Sequence, residues 1–77
     1  MKYTELERIA EENGYEIKNT IDHLILTKYK GENVIKISKA KENLIFPNMY
    51  ACFHADWQML KAAMDYAETS LDDRYLE

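Results

Sequence analysis

Cys52, His54 and Asp56 stand at i, i+2 and i+4 in the stretch ACFHADW, residues 51–57. On a β-strand that spacing aims three side chains to one side, where a thiolate, an imidazole and a carboxylate can serve as metal ligands. Cys52 with His54 or His23 as base would make the beginning of a nucleophilic site, given a third group to orient the imidazole. The element that carries these residues argues against both. Phe53, Trp57, Leu60, Met64, Ala67 and Leu71 are spaced by four, three, four, three and four, which is a helical stripe. A helix beginning near His54 or Ala55 fans the three polar residues around its cylinder, with Phe53 and Trp57 turned to the core. Asp56 then suits the first turn, where a carboxylate meets the positive end of the helix dipole, and Cys52 is a small buried side chain. The chain holds two glycines, so it has no room for a glycine-rich phosphate loop, and no His-Glu-x-x-His pattern or nucleophile elbow occurs. No enzymatic activity, metal, cofactor or small-molecule substrate is expected.

The 77 residues form one domain with a thin core. Its expected stability of roughly 4 to 11 kcal/mol leaves room for a subunit interface to contribute, so a homodimer is expected. The composition is that of a folded domain: 47% hydrophobic, 31% charged, with a single proline. One cysteine cannot close an intramolecular disulfide, and residues 1–14 contain no apolar signal-peptide region, which together favour the cytoplasm. Apolar runs such as Leu24-Ile25-Leu26 are far short of the roughly 20 residues of a membrane span.

Thr4-Glu5-Leu6-Glu7 fits a capping box for a helix over about residues 5–13, with Leu6, Ile9 and Ala10 on one stripe and Gly14 as its left-handed stop. Tyr15 to Lys18 alternates as a strand. Asn19-Thr20 supplies a turn, and His23 to Tyr29 continues as the second arm of a hairpin, with Leu24 and Leu26 opposite His23, Ile25, Thr27 and Tyr29. Val34 to Ser38 alternates again, with Ile35 and Ile37 pointing the same way. Leu44 to Phe46 is a candidate fourth strand, and Pro47 suits an edge or an exit. After the last helix, Ser70 can cap a final turn with Asp73 answering it. The order predicts an α+β fold: an N-terminal helix, a three- or four-stranded antiparallel sheet, and a C-terminal helix, with both helices on one face and the other face open.

An open face is a natural interaction surface. Tyr15 and Tyr29 beside Ile25, together with Tyr50, are candidate anchors for a protein partner or a second copy, since tyrosine joins large contact area to a polar tip. The competing surface is basic: Lys28, Lys30, Lys36, Lys39 and Lys41 crowd the middle of the chain and could meet nucleic acid phosphates. The helix–strands–helix order is also that of double-stranded RNA-binding domains, but His54-Ala55-Asp56-Trp57 stands where such a domain wants basic residues. A net charge of −4 disfavours phosphate binding, and the acids at both ends raise the opposite idea of a nucleic-acid mimic that inhibits a DNA-binding protein.

Asp65-Tyr66-Ala67-Glu68-Thr69-Ser70-Leu71-Asp72-Asp73-Arg74 resembles the ending of small uncharacterised proteins of phages and prophages of Gram-positive bacteria. Those commonly finish with a Tyr-Ala pair, a Thr-Pro or Ser-Pro step, an acidic pair and Arg; Ser70 stands here where proline is common. The lysine-bearing strands from Val34 to Phe46 are similar to theirs as well. The resemblance implies a phage- or prophage-encoded accessory protein of the host cytoplasm with no catalytic residues. Within the run, Arg74 is expected to pair with Asp73 or Glu77.

Overall fold

The computed structural model describes residues 1–28, 31–48 and 57–74. It has the predicted α+β architecture. Helix α1 (Tyr3–Glu12) leads into strands β1 (Glu16–Asn19), β2 (His23–Lys28), β3 (Glu32–Ser38) and β4 (Ile45–Pro47), followed by α2 (Trp57–Glu68) and the short α3 (Leu71–Arg74). The strands form one antiparallel sheet in the order β1-β2-β3-β4. The candidate fourth strand is therefore real, with Pro47 in an edge strand where its missing N–H is tolerated. Leu24 and Leu26 face Ile37 and Ile35 across the central pair, and these four pack with Leu6 and Ala10 of α1 and with Met59, Ala63 and Tyr66 of α2. Both long helices thus cover one side of the sheet.

α1 begins a residue or two before the predicted capping box. The Lys2 carbonyl accepts from the Glu5 and Leu6 amides, both at 3.1 Å, and no side chain caps this end. Thr4 lies inside the first turn and is exposed, so its hydroxyl is out of position for the capping role. The other end follows the expected rule closely. Gly14 has φ +79°, its amide donates to the Glu11 carbonyl (3.1 Å), and the Tyr15 amide donates to Ala10 (2.8 Å). This is the paired Schellman pattern, which needs a residue that tolerates the left-handed region.

The β1–β2 turn is held by Thr20, whose hydroxyl donates to the His23 carbonyl and accepts from the His23 amide, both at 3.0 Å. Lys39 closes over it: its ammonium donates to Asn19 Oδ1 (2.5 Å) and to the Thr20 carbonyl (2.8 Å). β3 contains a bulge. Leu26 pairs with Ile35 but Thr27 pairs with Asn33, which leaves Val34 as an extra residue beside Ile35. Strict alternation would have sent Val34 to the open side; the bulge buries Val34 and Ile35 together.

α2 departs from expectation. Its buried residues are Met59, Ala62, Ala63, Tyr66 and Ala67, while Trp57 is 54% exposed and Met64 is 46% exposed. The predicted stripe exists as a pattern, but its large members Trp57 and Met64 point to solvent. Alanines let the helix approach the sheet closely, and a stripe weighted by side-chain size misses such a face. Phe53, His54 and the predicted start of this helix lie outside the described residues.

Arg74 is the second departure. It is fully buried and pairs with no carboxylate among the described residues. Its guanidinium donates to three carbonyls: Ser38 (Nη1, 2.7 Å), Ala67 (Nη2, 2.7 Å) and Thr69 (Nε, 3.1 Å). The fork also lies 5.1 Å over the Tyr66 ring. A cation at the carboxyl end of α2 meets the negative end of the dipole, and here it links that end to the last residue of β3. Glu42, from the β3–β4 connection, accepts from the Leu71 amide (3.0 Å) at the start of α3.

Candidate interaction surface

Because α1 and α2 share one side of the sheet, the residues that alternate away from the core form the other side. The registers set four of them in a row across all strands: Lys18 opposite Ile25, Ile25 opposite Lys36, and Lys36 opposite Phe46. Two exposed lysines therefore alternate with a half-buried isoleucine and a phenylalanine that is 48% exposed. Neither lysine is in an ion pair among the described residues. His23 lies one step along β2 on the same side, and its ring meets the Phe46 ring edge-on, with centroids 5.9 Å apart and planes at 70°. The contact spans β3, since β2 and β4 flank it.

Beside this aromatic pair is a cleft of about 440 Å³ lined by His23, Val34, Lys36, Phe46, Pro47 and Asn48. Its rim is fixed by the backbone. The Asn48 amide donates to the Val34 carbonyl (2.6 Å) and its side-chain amide donates to the Asn33 carbonyl (3.1 Å), which continues the β3–β4 pairing past Pro47. Apolar surface from Phe46 and Pro47, the His23 ring and a cation at the margin suit a contact with an apolar side chain flanked by negative charge.

Of the predicted anchors only Tyr15 lies among the described residues, and it is not on this face. Tyr15 is 5% exposed and belongs to the core. It is two residues before Ile17, and Ile17 pairs with Leu26 on the helix-covered side, so alternation takes Tyr15 away from Ile25. The Lys28 ammonium lies 4.7 Å over its ring. Tyr29 and Tyr50 lie outside the described residues, as do Lys30, Cys52, His54 and Asp56. The mid-chain lysines are dispersed: Lys28 over Tyr15, Lys36 on the open face, Lys39 on the β1–β2 turn, Lys41 exposed in the β3–β4 connection. Among the described residues no group of three His, Cys, Asp or Glu is placed to hold a metal, and no helix is long and apolar enough to cross a membrane.

Phe46 and Lys18 carry the row, and neither was singled out from the sequence. The alternation Glu16-Ile17-Lys18-Asn19 contained the signal for Lys18, since Ile17 had to face the core. Phe46 needed the existence and register of β4. Compared with protein-family models, curated proteins and solved structures, the chain matches none.

Proposed function

We propose that the protein is a small, non-enzymatic interaction module that binds an acidic, apolar-anchored segment of another protein on its open sheet face. The observation that supports this most is the row Lys18, Ile25, Lys36 and Phe46, which sets exposed apolar surface between two cations outside any ion pair described. Lys18 and Lys36 outnumber Glu16, the acid on the same side of β1, so this partly aromatic face has a local charge opposite in sign to the chain's net −4, which selects against other basic surfaces and orients an acidic partner. The resemblance of Asp65 to Arg74 to phage and prophage proteins supports an accessory role in a host cytoplasm, with a host or phage protein as the partner.

A second reading has its own support. Aromatic rings beside lysines on an open sheet also resemble platforms on which single-stranded nucleic acids stack. Two features favour a protein. The His23 and Phe46 rings engage each other edge-on, and Lys28, Lys39 and Lys41 are spread over separate parts of the molecule. The test is a titration of isotope-labelled protein, read at Ile25, Lys36 and Phe46, with an acidic peptide bearing one phenylalanine and in parallel with mixed-sequence single-stranded DNA and RNA. Saturable shifts with the peptide that vanish in Lys36→Glu support the reading. Shifts with the oligonucleotides alone, lost steeply with salt, would replace it by nucleic-acid binding.

A further inference from the structure

α2 is apolar on two sides. The core side holds Met59, Ala62, Ala63, Tyr66 and Ala67. At 100° per residue, Trp57, Lys61, Met64 and Glu68 fall within about 60° of arc on the opposite side, with half-buried Leu60 at their margin. A helix with large apolar residues on both sides is expected to be covered on both. Trp57, Leu60 and Met64 keep the four-and-three spacing with which two helices pack along a common seam. Beside Met64 a shallow cleft of about 230 Å³, lined by Asn43, Ile45, Met64, Ala67 and Glu68, extends this surface toward β4.

We infer that this outward face of α2 is a homodimer interface in which two copies of α2 pack antiparallel about a two-fold axis beside Met64. The charges select a second copy as the occupant. Lys61 precedes Met64 by three residues and Glu68 follows it by four; both are exposed, and neither is in an ion pair among the described residues. An antiparallel two-fold brings Lys61 of each copy against the partner's Glu68 and Met64 against the partner's Met64, and it sets Trp57 beside the carboxyl end of the partner's α2. A parallel pair would oppose Lys61 to Lys61 and Glu68 to Glu68, which like-charge repulsion disfavours. The face is self-complementary, as an isologous contact must be. α2 spans about 18 Å, so the contact is at the small end of specific interfaces and the dimer dissociates on dilution. This surface lies on the far side of the molecule from the open sheet face, so it stands or falls independently of the proposed partner site.

The test is sedimentation velocity on the full chain over a wide concentration range. The expected result is a monomer–dimer equilibrium that Met64→Glu weakens by about 100-fold or more, with far-UV dichroism retained and, at dilutions where both chains are monomeric, the melting temperature retained as well, because Met64 is exposed. Lys61→Glu and Glu68→Lys each set like charges against each other in their own homodimers, so each weakens self-association. Mixing them restores opposite pairs at both ends of the seam, and a heterodimer at least as tight as the original is expected. A monomer at every concentration overturns the inference. So does a dimer indifferent to Met64→Glu, or a mixture of the two charge variants that stays as weak as either alone.

Discussion

Arg74→Ala should be among the most destabilising single substitutions in this domain. The side chain is fully buried, and its three donors reach carbonyls at 2.7, 2.7 and 3.1 Å from the end of β3, the last turn of α2 and the α2–α3 link. Truncation removes all three. The Ala67 carbonyl keeps a second donor, the Asn43 amide at 2.8 Å, so Ser38 and Thr69 bear most of the loss. A buried acceptor deprived of its donor costs about 1 to 3 kcal/mol, and the stacking on Tyr66 adds about 1. Opposing this, the folded state no longer carries a desolvated cation, and water entering the vacated space offsets part of the loss. The net cost is about 3 kcal/mol, out of a total of roughly 4 to 11. With a guanidinium m-value near 2.5 kcal/mol/M, the unfolding midpoint should fall by about 1.2 M. Arg74→Lys separates charge from geometry. An ammonium keeps the favourable interaction with the helix end but cannot address three carbonyls arranged around a planar fork, so it should recover less than half of the loss. A cost below about 1 kcal/mol for Arg74→Ala would refute the reasoning. Full recovery by lysine would show that charge alone matters.

Gly14→Ala should cost about 1 kcal/mol and lower the melting temperature by about 4 to 8 °C, measured by calorimetry. The added Cβ would meet only Lys28 Cε, at 3.8 Å, so the cost comes from φ +79° and not from crowding; Gly14→Asn should be milder, and equal costs for the two would contradict that. Val34→Ala should destabilise by about 2 kcal/mol although simple alternation places residue 34 with Lys36, because the bulge turns Val34 inward. Lys36→Ala, measured beside it by urea denaturation, should be within about 0.5 kcal/mol of neutral. Similar effects at the two positions would argue against the bulge.

The architecture was legible because alternation and helical periodicity survive in a short chain. Leu24 and Leu26 against Ile35 and Ile37, Gly14 as a helix stop, and the turn at Thr20 follow from local rules. What escaped depends on tertiary geometry. The bulge at Val34 inserts one residue into a ladder, and nothing in VIKIS marks where the insertion falls. The outward turn of Trp57 and Met64 has no mark in the sequence because side-chain size is a poor guide to burial here: Ala62, Ala63 and Ala67 make the close approach to the sheet. Arg74 reads as a surface cation beside Asp72 and Asp73, and only the fold brings three backbone carbonyls around it. At the candidate site, the open face itself was foreseen from element order. Of its residues, Ile25 and Lys36 are named by the sequence reading and Lys18 and Phe46 are not: tyrosine identity points to Tyr15, while the parity of β1 and the register of β4 select Lys18 and Phe46.

The most direct test of a protein-binding open face is site-specific photo-crosslinking in cells that express the chain, with a photoreactive phenylalanine analogue at position 46 and, as a control, at exposed Glu11 on α1. The expected result is a discrete protein adduct at position 46, absent at position 11 and abolished by Lys36→Glu in a chain that remains folded. Adducts at position 46 consisting only of nucleic acid, or no adduct beyond that at position 11, would contradict the proposed function.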